Sequence, residues 1–158
     1  MGTEKQKITI QIIKNFKNVK ADLPRLKKLV KAICNRFRLS NAAVNILIVG
    51  NTQIRNLNKQ FLKRNCTTDC LSFEMSDDNS AVRTFDVVVN AEIAAKEAKR
   101  RGHRSEAELA LYITHGLLHN LGFDDSSPKK AKKMHDAEDE ILRQFGYKPV
   151  YKPNRNGV

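Results

Sequence analysis

Two histidines and two aspartates lie close together in the stretch HGLLHNLGFDD, residues 115–125. His115 and His119 are four residues apart, a spacing that places two side chains on one face of a helix with their Cβ atoms about 5–6 Å apart. Two imidazoles in that arrangement can bind one metal ion. Gly122 is a typical residue to end the helix, and a carboxylate just beyond the turn can reach the same ion. Either Asp124 or Asp125 satisfies that condition.

Three nitrogen or oxygen ligands with an open fourth position are typical of a catalytic zinc site, in which the ion makes a bound water more acidic. A metalloprotease usually carries a glutamate general base directly after the first histidine, in the pattern His-Glu-x-x-His. Gly116 occupies that position here, so the motif disfavours a protease. The alternative is that both histidines are structural residues at the edge of a central helix, which the spacing makes the weaker interpretation.

The three cysteines and the other two histidines are weaker candidates for a metal or catalytic site. Cys66 and Cys70 could bind a metal together with Cys34, but Cys70 falls in an apolar strand, so small core residues are the favoured interpretation. His103 is expected at the surface between two helices. His135 is expected at the surface of the last helix or at an interface.

The helix that carries the two histidines is apolar nearly all round, in the run AELALYITHGLLHNLG, which predicts a position in the centre of the domain. Ser105 and Glu108 form the pattern of a capping box at its start. Four strands and four further helices are predicted around it: strands 8–13, 43–50, 69–75 and 84–90, and helices 21–37, 51–62, 91–102 and 127–145. The predicted N-caps are Asp22, Asn51 or Thr52, Asn90 and Ser127. These elements indicate an α+β fold, a sheet covered by helices.

The chain has 158 residues and a formal net charge of +12, which fits one domain with a hydrophobic core. The charge is uneven, since residues 1–50 hold eleven Lys or Arg against two acidic residues. Helix 21–37 carries much of it on one face: Arg25, Lys27, Lys28, Lys31 and Arg36. This excess favours a polyanionic partner, either nucleic acid or an anionic membrane surface, although a lysine-rich surface without such a partner is the alternative.

No apolar run reaches the roughly 18 residues of a membrane-spanning helix, and the first residues lack the pattern of a secretory signal. Three cysteines are an odd number for a disulfide framework. A reducing cytoplasm is therefore the expected location.

Three blocks of the sequence resemble one family. HGLLHNLGFDD is similar to the signature of the YbeY family of metal-dependent endoribonucleases, His-Gly-x-x-His-x-x-Gly-x-x-His. LNKQFLKRNCTTDCLSFEM (57–75) resembles the family's Leu-Asn … Pro-Thr-Asp-Val-Leu-Ser-Phe segment, and FDVVVNAEIAAKEAKRRG (85–102) resembles its Gly-Asp-Ile strand and following helix. The resemblance covers about residues 42–146.

The resemblance implies a single α+β domain over residues 1–146, with a four-stranded mixed sheet, about five helices packed around it and a metal cleft at the end of a central helix. Residues 147–158 are expected to form a basic, loosely ordered tail. The implied function is a single-strand-specific endoribonuclease in ribosomal RNA maturation, including 16S rRNA 3′ end processing, and in ribosome quality control. The implied partners are single-stranded and ribosomal RNA and the ribosome, with no DNA and no membrane.

The family's ligands carry over directly to His115 and His119. The third histidine position is Asp125, with Asp124 as second choice. The expected ion is Zn²⁺, and the extra carboxylate could favour Mn²⁺ or another divalent metal.

Three further residues of the second block are predicted to be catalytic: Lys63, Arg64 and Asp69. Leu62 stands where the family commonly has an arginine, so Lys63 and Arg64 are expected to contact phosphate in its place, unless they form a solvated basic turn. Asp69 is expected to line the cleft, unless it is a turn residue. Thr67 and Phe85 also depart from the family pattern. Two alternatives stay open: a non-catalytic RNA- or ribosome-binding factor with a degenerate metal site, and, less favoured, a zincin-like metalloprotease.

Overall fold

The computed structural model describes residues 7–76 and 81–147. They form four strands and five helices, in good agreement with the predicted positions. In chain order these are β1 (Lys7–Lys14), α1 (Leu23–Arg36), β2 (Asn41–Val49), α2 (Asn51–Leu62), β3 (Cys70–Glu74), β4 (Arg83–Asn90), α3 (Ala91–Arg101), α4 (Ser105–Asn120) and α5 (Pro128–Gln144). The predicted α+β class with a four-stranded sheet and five helices is confirmed.

The sheet has the strand order β1-β2-β4-β3. Strands β1, β2 and β4 run parallel, and β3 pairs antiparallel with β4 at the edge. The sheet is therefore mixed, as expected. Val87 on β4 lies opposite Ser72 on β3, and this part of the sheet supports the helix that carries the two histidines.

Helix α4 lies at the centre of the structure because almost every residue before His115 is apolar or internally paired. It contacts β3 and β4 of the sheet and the helices α1, α3 and α5. Twelve of its sixteen residues are buried, including Leu109, Ile113 and Leu118 with no exposed surface. A helix buried on all sides is held by packing rather than by its own propensity, so its last turn is a rigid base for side chains.

Three predicted helix caps are confirmed: Asp22, Asn90 and Ser127 each accept a hydrogen bond from the backbone of the first turn that follows. The prediction that Asn51 or Thr52 caps α2 is wrong. The N-cap residue is Gly50, and the backbone N–H of Asn51 donates to the Glu92 carboxylate. Side chains outside the helix supply the partner that a local cap would have given.

The predicted capping box at the start of α4 is wrong. Arg104 is the N-cap residue and makes no side-chain cap, while Ser105 is already helical. The carboxylate of Glu108 instead contacts the His103 ring and accepts a hydrogen bond from the Tyr112 hydroxyl. The carboxylate of Glu108 is thus occupied by two side chains, one before the helix and one on it, and makes no capping bond to the backbone at the helix start.

Tyr147, the first residue of the predicted tail, is buried, and its hydroxyl donates to Glu106 at 2.6 Å. Residues 148–158 lie outside the described residues, so the tail boundary stays a prediction. No helix within the described residues has the length and apolar character needed to cross a membrane.

Candidate metal centre

The two histidine rings meet at the end of α4. Their Nε2 atoms are 3.1 Å apart, and the rings stand edge to face at an interplanar angle of 85°. Two nitrogens bound to one tetrahedral zinc ion at about 2.0–2.1 Å are separated by about 3.3 Å. The observed spacing is therefore close to that of a metal-bound pair.

His115 is held from behind by a residue that sequence reasoning missed. Its Nδ1 lies 2.7 Å from Oε2 of Glu138 on α5, whose side chain is only 1% exposed. Burial lowers the pKa of His115, but the hydrogen bond to Glu138 and the negative charges of Glu138, Asp69 and Asp125 outweigh it. The pKa of His115 is raised as a result.

Asp125 is the third member of the group. One ligand atom each from His115, His119 and Asp125 lies within 4.8 Å of the others, and no comparable group of His, Cys, Asp or Glu occurs elsewhere in residues 7–76 and 81–147. Two imidazole nitrogens and a carboxylate oxygen form a donor set that fits a divalent metal. As ligands, the three residues stay a prediction.

Asp124, the second choice, is engaged in the turn instead. Its Oδ1 accepts hydrogen bonds from the backbone N–H and the hydroxyl of Ser126, and its Oδ2 lies 3.7 Å from Lys130. The hydrogen bonds with Ser126 and the nearby lysine lower the pKa of Asp124. This carboxylate is hydrogen-bonded within the turn beside Asp125, and Asp125 as the third ligand stays a prediction.

Gly116 is buried because α4 lies directly on the sheet at this point. A Cβ atom here would be 2.9 Å from Sγ of Cys70 and from Cγ1 of Val87. A side chain at position 116 would thus run into the sheet, and a glutamate there has no room. The close contact between α4 and the sheet is therefore a structural reason why the motif disfavours a His-Glu-x-x-His protease.

Beside the histidine pair, a cavity of about 300 Å³ runs between α3, α4 and α5. Its polar walls include Asp69, Tyr112, His115 and Glu138, with Arg100 and Arg101 at the end of α3. Asp69 and His115 thus line the same cavity. The two arginines were missed, since the run KRRG that ends α3 looks like an ordinary solvated helix terminus in the sequence.

Lys63 and Arg64 follow α2 and do not line this cavity. Both are exposed, and Lys63 takes a left-handed backbone conformation with φ of 58°. They lie in the loop that leads to Asp69 and β3. Their role in phosphate contact, and that of Asp69 in catalysis, stay predictions.

The cysteines, His103 and His135 lie outside the His-His-Asp group. Cys34 is buried in the core, where burial raises the pKa of its thiol to about 11. Cys70 is half-buried as expected, but Cys66 is exposed, so its placement in the core was wrong. His103 is not a free surface residue, because its Nε2 lies 2.5 Å from the buried Glu108. His135 is half-buried and lines the cavity.

The basic face of α1 is only partly available to a polyanion. Arg25 donates to the backbone oxygen of Phe145 and pairs with Glu106, and Arg36 pairs with Glu140. Three lysines of this face lie together beside strand β1: Lys27, Lys28 and Lys31.

The fold combines a mixed sheet with a buried central helix, and His115, His119 and Asp125 come together at the end of that helix. These features define a class of single-domain α+β proteins with a candidate hydrolytic metal site. Within that class, residues 11–146 match the family model described as Endoribonuclease YbeY. The chain belongs to the endoribonuclease YbeY family, which is a family of RNA-cleaving hydrolases.

Individual relatives agree with this assignment. The chain is 32% identical over 140 residues to an Endoribonuclease YbeY of Anaeromyxobacter sp., covering 88% of this chain and 73% of the relative. It is 36% identical over 132 residues to that of Wigglesworthia glossinidia brevipalpis, covering 82% and 86%. A Thermotoga maritima protein solved in solution is similar in fold, with a TM-score of 0.58 at 22% identity over 94% of this chain and 97% of that one.

Proposed function

We propose that this protein is a metal-dependent endoribonuclease that cleaves single-stranded RNA, with the metal held by His115, His119 and Asp125. The observation that carries the proposal is the convergence of these three ligand atoms at the end of α4, in a chain of the endoribonuclease YbeY family. A bound divalent ion supplies an activated water and stabilises charge on the phosphoryl oxygens. Zn²⁺ is the expected ion, and Mn²⁺ is the alternative that the carboxylate ligand favours.

The chain's own residues have separate roles in this proposal. The Glu138 carboxylate and the cavity wall hold His115 in place. Asp69, on the rim of the same cavity, accepts a proton from the attacking water and returns it to the leaving oxygen. Lys63 and Arg64 bind phosphate from the loop before β3. Lys27, Lys28 and Lys31 contribute sequence-independent attraction for the RNA backbone, which salt weakens.

Family membership also supports a more specific role. The proposed substrate is ribosomal RNA, including the 3′ end of 16S rRNA, and the proposed setting is ribosome maturation and quality control in the cytoplasm. Aromatic residues make up only 6% of the chain and tryptophan is absent, so surfaces for stacking bases are few. Target choice would then depend on the ribosome as a partner.

The test combines metal analysis with RNA digestion. Protein purified without chelator is assayed for bound metal and for cleavage of a single-stranded RNA and of the same sequence as a duplex. The expected result is a bound divalent ion and cleavage of the single strand, both lost in His115→Ala and His119→Ala. His103→Ala is the matched control and should retain both. Cleavage that survives in His115→Ala and His119→Ala would contradict the proposal.

Asp125 itself favours a second candidate function. A carboxylate in the third position adds negative charge to the ion and makes a bound water less acidic. The chain could then bind RNA or the ribosome without cutting. This candidate predicts RNA binding that weakens with salt and no cleavage with Zn²⁺, Mn²⁺ or Mg²⁺, and cleavage with any of the three ions excludes it.

A further inference from the structure

Glu138 lies behind the proposed metal centre and is not one of its three ligands. It belongs to α5, 23 residues after His115 in the chain, and its Oε2 lies 2.7 Å from Nδ1 of that histidine. We infer that Glu138 is a positioning residue that fixes the ring orientation and the tautomer of His115. This inference rests on the proposed function, because it concerns the same metal site.

The choice of nitrogen follows from simple hydrogen-bond chemistry. A carboxylate can only accept, so the Nδ1–H of His115 donates to Glu138. In the neutral ring, the lone pair must then be on Nε2. That is the nitrogen that faces Nε2 of His119, 3.1 Å away. Glu138 therefore prepares the correct atom of His115 to bind an ion, and its buried negative charge makes that atom a stronger ligand.

Three glutamates are buried among the described residues, and their hydrogen-bond partners separate a positioning role from a purely structural one. Glu106 and Glu108 use both of their carboxylate oxygens: Asp22 and Tyr147 bond Glu106, and Tyr112 and His103 bond Glu108. Oε1 of Glu138 is buried without a partner among the described residues. A half-satisfied buried carboxylate is costly, so structural need alone does not explain it.

The two histidines are also not equivalent. Among the described residues, the side chain of His119 contacts only the His115 ring by hydrogen bonding, whereas His115 has a carboxylate behind it. We expect the affinity of the site to depend on Glu138 because it prepares one ligand in advance. Losing such an outer partner typically weakens metal binding about 10–100-fold.

The experiment measures Zn²⁺ affinity of the metal-free full chain by competition with a chromophoric chelator, in Glu138→Gln and Glu138→Ala. Glutamine keeps an acceptor for Nδ1–H but removes the charge, so affinity should fall about tenfold. Alanine removes both, and affinity should fall towards the upper end of the range of about 10–100-fold. Glutamine is nearly the same size as glutamate, so this variant tests the inference even if alanine prevents folding.

Two control variants account for lost charge and lost stability. Glu106→Gln removes a buried carboxylate in the first turn of α4, at the other end of the helix from His119. Glu140→Gln removes an exposed carboxylate two residues after Glu138 on α5. Both should bind Zn²⁺ within about twofold of the unmodified protein, although Glu106→Gln should melt at a lower temperature.

Nitrogen-15 NMR of the metal-free protein supplies a readout that a structural role would not change. Neutral His115 should carry its proton on Nδ1 in the unmodified chain, and the Nε2–H tautomer should appear in Glu138→Ala. Unchanged Zn²⁺ affinity in Glu138→Gln, while His115→Ala has lost it, would overturn the inference alone. Unchanged affinity in His115→Ala as well would overturn the proposed metal site together with it.

Discussion

Two histidines in this protein each contact a buried glutamate, yet the two pairs have different surroundings. His103 lies 2.5 Å from Glu108 in the turn between α3 and α4, and His115 lies 2.7 Å from Glu138 near the end of α4. Both carboxylates are 1% exposed. A histidine–glutamate pair is therefore not itself a sign of metal chemistry.

The difference lies in what the rest of each pair contacts. Glu108 also receives the Tyr112 hydroxyl and lies 3.5 Å from Arg101, so its charge is neutralised locally. His115 instead turns its second nitrogen towards His119 and Asp125. One pair lies at the start of α4, and the other lies at the candidate metal centre near its end. Convergence of further donors, rather than the pair, identifies the site.

The largest expected difference between the pairs is in catalysis. His115→Ala should lower RNA cleavage by at least about 10³-fold, since losing the activated water removes several kcal/mol of transition-state stabilisation. His103→Ala should leave the cleavage rate unchanged. Single-turnover digestion of a labelled single-stranded RNA at saturating enzyme measures both. Equal losses in the two variants would abolish the distinction.

The two aspartates after the turn should differ next most strongly. Asp125→Ala should weaken Zn²⁺ binding by at least about tenfold, since a direct ligand should matter no less than an outer partner. Asp124→Asn, which keeps an acceptor oxygen for Ser126, should leave the affinity nearly unchanged. Asp125→His should raise the affinity for Zn²⁺, because it restores an imidazole at the third position. A chelator competition assay measures all three, and an unaffected Asp125→Ala would remove this residue from the site.

Gly116→Ala tests whether the close packing of α4 against the sheet is needed to position His115 and His119. Its Cβ would meet Cys70 and Val87 at 2.9 Å, and overpacking of this kind costs about 1–3 kcal/mol of unfolding free energy. Urea unfolding followed by circular dichroism measures the loss. Zn²⁺ affinity should fall in the same variant, because the helix that carries both histidines must shift. A variant with unchanged stability and unchanged Zn²⁺ affinity would contradict this prediction, because the sheet would then accommodate the added methyl group.

The smallest effect is expected at the other pair. His103→Ala should lower the free energy of unfolding by about 1 kcal/mol, because Glu108 loses one partner but keeps Arg101 and Tyr112. Metal content should not change. Thermal unfolding with and without Zn²⁺ checks both statements together, since the stabilisation by Zn²⁺ should equal that of the unmodified chain.

The sequence was sufficient for the elements whose signals are local. The apolar run of α4 and the caps Asp22, Asn90 and Ser127 depend on residues within a few positions of each other. The two histidines could be placed together for the same reason, since they occupy one helical face.

The missed features depend on contacts between distant segments. Glu138 reaches His115 because of the rotation of α5 against α4, and nothing in the spacing of either helix specifies that rotation. The capping box failed because the carboxylate of Glu108 has better partners in the turn and on its own helix than the backbone ahead of it. Side-chain competition of this kind becomes visible only when the tertiary contacts are known.

The contact between Tyr147 and Glu106 has a consequence for the order of assembly during translation. The Glu106 carboxylate on the central helix also accepts from the backbone of Asp22, so it joins an early segment of the chain to a late one. A nascent chain that has produced α1 to α4 still lacks the phenol that completes this buried cluster. The helical layer should therefore consolidate only after residue 147 has left the translating ribosome.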